Sequence, residues 1–340
     1  MASVDLRRSF ESLAGPAVSH QATVALQGPD TESSAAAEQD RSWLATVYGL
    51  GIQSDLSLPE VMPGAVVVDV VIRLGILPPR PQERQGDVFY AHATEREAYL
   101  SWNGVGTFLV RDGREILVDP RPGVDERTLR VYLLGAVLGV VLHQRGRLIT
   151  HASGVDIGGR VTGFMGTSGR GKSTIAAALH ARGHALVTDD VLAFLPINEE
   201  GPPIVTPGFP SVKLFPDSLR ALGKRPDGLP LVQALEDKRM QSACEGFSLR
   251  ERPLGRLYVL AEGSELRIER LGPQPAFVEL LRHTTPPRPK LIPVDDIPSR
   301  LRQFAELVNR VPICRLTVPR SLDRLPDVAR LVEADVISST

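Results

Sequence analysis

Large apolar side chains are sparse at the start of the chain and begin to recur only at Trp43. Before that, residues 1–40 are mostly Ser, Ala, Gln, Glu and Asp. Such a stretch buries too little apolar surface to offset the entropy of ordering, which predicts a disordered tail over 1–42. Leu44, Val47, Leu50 and Ile52 then open an apolar pattern that runs into the β-branched stretch 65–72, read as a strand. Residues 99–102, 106–110 and 115–118 are separated by Asn103-Gly104 and Asp112-Gly113, dipeptides that supply the left-handed residues of tight hairpins. A helix from about Asp125 to His143 closes this part, so 43–146 is expected to form a small α+β N-terminal lobe.

The pattern then changes. Residues 148–157, the pair Gly158-Gly159 and residues 161–165 predict a hairpin, and a glycine-rich loop follows directly. A helix is expected over Lys172–Ala181, with Ile175, Leu179 and neighbouring alanines on its apolar face and Gly183 placed to end it. Residues 185–187 return as a strand that ends at Thr188-Asp189-Asp190. Strand, loop, helix and strand in this order are the layout of a phosphate-binding α/β domain, assigned to 147–285. Beyond Pro196 the chain is rich in Pro and Gly, with a helix expected over 217–222 and strands over 256–261 and 266–270. Pro286, Pro287 and Pro289 read as a linker, and 297–308 and 322–333 have helical spacing, so 286–340 is a linker and helical C-terminal segment. The fold class is therefore α/β: a phosphate-binding α/β domain, preceded by the small α+β lobe and followed by a short helical tail.

Composition narrows the function. An apolar share of 42% suits a packed core, and 39 basic against 40 acidic residues give a net charge of -1, so neither nucleic acid nor an anionic membrane is an expected partner. The longest apolar run, 131–142, is broken by Gly135 and Gly139 and falls short of the roughly 20 residues a bilayer span needs. Residues 1–10 lack the apolar core of an export signal. Cys244 and Cys314 stand far apart, without disulfide or zinc spacing, and a reducing cytoplasm fits best. His143, His180, His184 and His283 form no metal-ligand pattern.

The chemistry sits in Gly166-Thr167-Ser168-Gly169-Arg170-Gly171-Lys172-Ser173, which satisfies the P-loop pattern at every defined position. Glycines let successive amide N–H groups point inward, and the start of the following helix adds free N–H groups and a positive dipole end. That concavity suits ATP, with Thr174 continuing the frame into the helix. Lys172 would reach the β and γ phosphates, Ser173 would sit on Mg2+, and Arg170 would face solvent. Asp189 and Asp190, at a strand end near the loop, offer carboxylates for proton acceptance and charge neutralisation. Lys238-Arg239 is a candidate extra cation, against the plainer reading of solvated surface.

Read outward from this loop, 148–191 resembles the catalytic core of the HPr kinase/phosphorylase family. There a histidine precedes the loop on the first strand of a hairpin, and an aspartate pair closes the strand after the helix; here His151 and Asp189-Asp190 hold those places. The resemblance implies transfer of phosphate from ATP to a serine hydroxyl. Asp189 would be the base, Asp190 would hold magnesium directly or through water, and His151 would position or shield the reacting phosphate; the residues themselves leave open which aspartate does which. The family's later Leu-Glu-Ile-Arg-Gly-Leu-Gly stretch has no counterpart, and Pro207-Gly208-Phe209-Pro210-Ser211-Val212-Lys213-Leu214 stands in its place. HPr as acceptor and the reverse reaction are accordingly not carried over. From Trp43 onward the pattern is more similar to divergent HPr-kinase-related proteins, some acting on lasso-type precursor peptides, and this implies a peptide or protein acceptor with a serine or threonine. The rival readings are a nucleotide-binding regulatory module and a small-molecule kinase. The acceptor, ATP against GTP, and any oligomerisation are not legible in the sequence.

Overall fold

The computed structural model describes residues 42–77, 89–197, 201–233, 236–283 and 297–338. Apart from Ser42, the tail expected over 1–42 lies outside the described residues, as do Pro286, Pro287 and Pro289.

Eight strands form the first sheet: β1 (Trp43–Val47), β2 (Leu50–Ser54), β3 (Met62–Pro63), β4 (Val70–Leu74), β5 (Phe89–Ala93), β6 (Glu97–Trp102), β7 (Gly106–Arg111) and β8 (Glu115–Pro120). Their spatial order is β3-β1-β2-β4-β8-β7-β6-β5. β6, β7 and β8 form the expected antiparallel meander, and at the β7–β8 turn both Asp112 and Gly113 have positive φ, of 49° and 61°, as this turn chemistry requires. The expected strand over 65–72 is shorter than its β-branched run suggests. β4 starts only at Val70, because Asp69 ties back to β2: its backbone N–H donates to Gly51 O at 2.8 Å and its carboxylate accepts from Gly51 N at 2.9 Å. The preceding backbone passes so close that a Cβ on Gly51 would lie 1.8 Å from Val67 O.

The helix that closes the sheet runs as α1 (Glu126–Tyr132), a wider π-type turn (Leu133–Val137) and α2 (Leu138–Gln144). Asp125 caps it by accepting from Thr128 N at 2.9 Å. Leu129, Leu133, Val137 and Val141 pack with Ile52, Ile72, Phe108 and Ile116 of the sheet in one core.

The second assembly contains β9 (Ile149–Thr150), β10 (Ala152–Ile157), β11 (Arg160–Met165), α3 (Lys172–Ala181), β12 (Ala185–Thr188), β13 (Leu192–Phe194) and β14 (Ile204–Thr206). It continues through β15 (Ser211–Leu214), α4 (Pro216–Ala221), β16 (Leu231–Gln233), β17 (Glu236–Ser242), β18 (Arg252–Glu262), β19 (Arg267–Arg270) and α5 (Pro273–Arg282). α6 (Ile297–Arg310), β20 (Ile313–Val318) and α7 (Leu325–Ile337) complete it. A nine-stranded sheet runs β12-β10-β11-β18-β14-β13-β9, with β20 beside β18 and β19 beside β20; β15-β17-β16 form a separate small sheet.

The C-terminal segment is not the purely helical tail that its spacing predicts. β20 pairs in parallel with β18 from Leu257↔Ile313 to Glu262↔Val318, and α7 packs Val328, Ala329 and Val332 with Ile175, Ala176 and Leu179 of α3. Asp335 of α7 is anchored by the Arg256 guanidinium and the Tyr258 hydroxyl of β18. The fold is thus a mixed α/β structure with several sheets, in which the C-terminal residues complete the sheet around the glycine loop. Among the described residues no helix is long and apolar enough to cross a membrane.

Candidate functional site

The site lies where the large sheet splits. β10 continues the direction of β9 but pairs with β11 and β12, whereas β9 pairs with β13. His151 is the residue between β9 and β10, and Asp189 and Asp190 lie in the matching gap between β12 and β13. The gaps face each other: His151 Nδ1 lies 2.9 Å from Asp190 O and 4.0 Å from Asp190 Oδ1. Asp190 takes a left-handed φ of 73°, which a short polar side chain tolerates better than most, and this turns the chain so that the two neighbouring carboxylates reach different partners.

The glycine loop leaves the end of β11 and enters α3, whose N-cap is Gly171 at φ 91°. Gly169, at φ 78°, has like Gly171 open space where a Cβ would stand. The loop closes with Arg170 N–H donating to Thr167 O at 3.3 Å. Lys172 is buried, and its Nζ donates to Gly166 O at 2.9 Å and Thr167 O at 3.2 Å. Burial lowers its pKa, against the opposing charges of Asp190 and Asp189. Ser173 Oγ donates to Asp189 Oδ1 at 2.8 Å.

Asp189 is 2% exposed. Besides Ser173 it accepts from Ser153 Oγ at 2.6 Å and from the Lys213 backbone N–H at 3.0 Å. Burial and the charge of Asp190 raise its pKa, with the three donors pulling the other way. Asp190 behaves oppositely. Burial would raise it too, but the charges of Lys213 and His151 and the Lys213 hydrogen bond hold it well below the usual carboxylate range. The Lys213 ammonium forms an ion pair with Asp190 Oδ2. Burial and the nearby Lys172 charge lower the His151 pKa, with Asp190 pulling the other way, and its backbone N–H donates to His283 O at 2.8 Å.

The structure thus brings Lys172, Ser173, Asp189, Asp190 and His151 into one cluster, with Gly166 and Thr167 accepting from Lys172. Other candidates point elsewhere. Arg170 does not simply face solvent but forms an ion pair with Glu262 at the end of β18. Thr174 Oγ1 lies 3.0 Å from Ser218 Oγ on α4. Arg239 turns to Leu229 O and Asp237, while Lys238 sits 5.2 Å over the Phe215 ring with its charge still felt by Asp190 and Lys172.

Sequence reasoning missed Ser153, Lys213 and Tyr48. Ser153 lies two positions after His151, on the strand that follows it, a spacing that could have pointed to it. Lys213 gives no local signal, since its place depends on β15 pairing with β17. Tyr48, at the β1–β2 turn, is buried with φ 52°; its N–H donates to Pro207 O at 2.8 Å, and burial followed by the charge of Asp190 raises its phenol pKa. The first sheet thereby reaches the back of the acid pair.

The cluster's donors are hard oxygens of the type that hold magnesium: the Ser173 hydroxyl and two carboxylates. Among the described residues there is no group of three or more His, Cys, Asp or Glu that could hold a metal ion.

No protein-family model matches the chain, and no curated protein matches it. Among solved structures it is similar to the HPr(Ser) kinase/phosphatase from Coxiella burnetii, at 13% identity and a TM-score of 0.30, covering 56% of this chain and 95% of that one. A superposition of that quality adds nothing to what the geometry of the site can do.

Proposed function

We propose that the protein transfers the γ-phosphate of ATP to a serine or threonine hydroxyl of a peptide or protein, with magnesium as the bridging ion. The observation that carries this reading is the 2.8 Å bond from Ser173 Oγ to Asp189 Oδ1, which sets a buried acid against the side chain that ends a phosphate-loop sequence. The resemblance of the His151, loop and aspartate register to HPr kinases supports the same chemistry, and the similarity in pattern to divergent HPr-kinase-related proteins points to the acceptor class.

The loop N–H groups and the free N–H groups opening α3 form the cradle, and the helix dipole favours negative charge there. Lys172, now on the carbonyls of Gly166 and Thr167, turns to the phosphates as a point charge. Ser173 and Asp190 would hold the magnesium ion, which when bound neutralises charge on the polyphosphate. Asp189 suits the role of base: its raised pKa makes it a better proton acceptor than an ordinary carboxylate. Ser153 and the Lys213 amide fix its orientation. Asp190, kept anionic, suits the metal side. His151, hydrogen-bonded to the Asp190 carbonyl, positions the reacting phosphate or shields it from water.

The direct test is Asp189→Asn. Transfer should fall by about 10²-fold or more, as expected when a general base is removed, while MgATP affinity stays within about threefold of wild type. Wild-type transfer at unchanged affinity would exclude Asp189 as the base.

A further inference from the structure

Two adjacent carboxylates, Asp189 buried and Asp190 partly so, stay ionised together only with a counter-charge close by. In this chain a lysine supplies it. Lys213 gives its backbone N–H to Asp189 Oδ2 at 3.0 Å and its ammonium to Asp190 Oδ2, with its side chain 14% exposed. β15 holds it there: Lys213 pairs opposite Met240 of β17, and Lys238, two residues before Met240, shares that face and adds its charge at Asp190.

The remaining groups that handle a metal-bound polyphosphate are likewise engaged within the protein. Lys172 is on the loop carbonyls and Ser173 is on Asp189. A divalent ion approaching Asp190 therefore meets a carboxylate whose Oδ2 is already held by an ammonium group, and the two cations repel each other at that short range.

We propose that Lys213 competes with the divalent ion for Asp190, holding the carboxylate while the site is metal-free and giving it up when the ion binds. This rests on the reading above in which Asp190 takes the metal. It makes the Lys213 side chain a determinant of the metal concentration the protein needs.

The test is Mn2+ titrated into the full-length protein with a non-hydrolysable ATP analogue, read by the electron paramagnetic resonance signal of free Mn2+. Lys213→Met should bind Mn2+ about tenfold more tightly, the scale of one charge contact at a partly buried site. Lys213→Arg, which keeps the charge, should stay within about twofold. Asp190→Asn should weaken binding at least about tenfold. Unchanged or weaker Mn2+ affinity in Lys213→Met, with Asp190→Asn weakened, overturns the competition and leaves the metal assignment standing. Wild-type affinity in Asp190→Asn overturns the metal assignment and the competition with it. Should the methionine variant melt early, Lys213→Gln is read against the same thresholds, since it removes the charge while remaining polar.

Discussion

Ser173 and Ser153 donate to the same oxygen, Asp189 Oδ1, at 2.8 Å and 2.6 Å, although one opens α3 and the other lies on β10. This shared acceptor ties the glycine loop to the strand that follows His151. Because Asp189 also accepts from the Lys213 amide, three elements meet on one buried carboxylate.

Removing Ser153 Oγ should therefore be felt in the protonation of Asp189. The Ser153 bond lowers the Asp189 pKa, so Ser153→Ala should raise it, and because a base acts only when deprotonated, the acid limb of the transfer rate should move to higher pH. The lost hydrogen bond should also destabilise the fold by about 1–2 kcal/mol. A pH–rate profile and a melting curve of the variant check both; an unmoved acid limb would detach Asp189 from the proton transfer.

Gly208 is a packing requirement of the turn that carries the acids. A Cβ there would lie 2.4 Å from Thr188 Oγ1 and 3.2 Å from Tyr48 Cε1, and Thr188 Oγ1 braces the turn by donating to Val191 O at 2.6 Å. Gly208→Ala should cost about 1–3 kcal/mol, the usual penalty for overpacking, and lower transfer more than it lowers nucleotide affinity. Denaturant titration and transfer kinetics measure the two effects.

His283 makes stability depend on mild acid. It is 8% exposed, and burial pushes its pKa from 6.5 down to about 4 despite Glu279. Between those values the unfolded chain binds a proton that the folded chain does not, so stability falls as pH drops through this window. From pH 7 to pH 5 the loss attributable to this group should be about 2 kcal/mol. Urea titrations of wild type and His283→Gln at both pH values test it: the variant should lose less on acidification by roughly that amount.

The parts of this fold legible in the sequence are those whose backbone needs particular residues. The loop announces itself because Gly169 and Gly171 hold positive φ, and the β7–β8 hairpin because Asp112 and Gly113 do. Both helices that flank the loop and the first sheet, α3 and the Asp125-capped α1–α2 run, show their period and their ends. β20 was hidden for the opposite reason: Ile313–Val318 is a short apolar run between two helices, and its strand character comes from β18, more than fifty residues earlier. The same holds inside the site. His151, Asp189 and Asp190 could be named from their register around the loop, but Lys213 and Tyr48 reach the acids through pairings and turns that no local pattern encodes. The stretch 65–69 shows the limit of β-propensity, since its valines were outweighed by two hydrogen bonds between Asp69 and Gly51, one donated by each backbone N–H.

The central claim, that the loop from Gly166 to Ser173 holds a magnesium-bound polyphosphate through Lys172, is tested most directly by calorimetric titration of MgATP into wild type and Lys172→Ala. One saturable site in the wild type, weakened at least about tenfold in the variant as loss of a phosphate-binding charge demands, is the expected result. No heat of association in the wild type, or equal affinity in the two proteins, would contradict it.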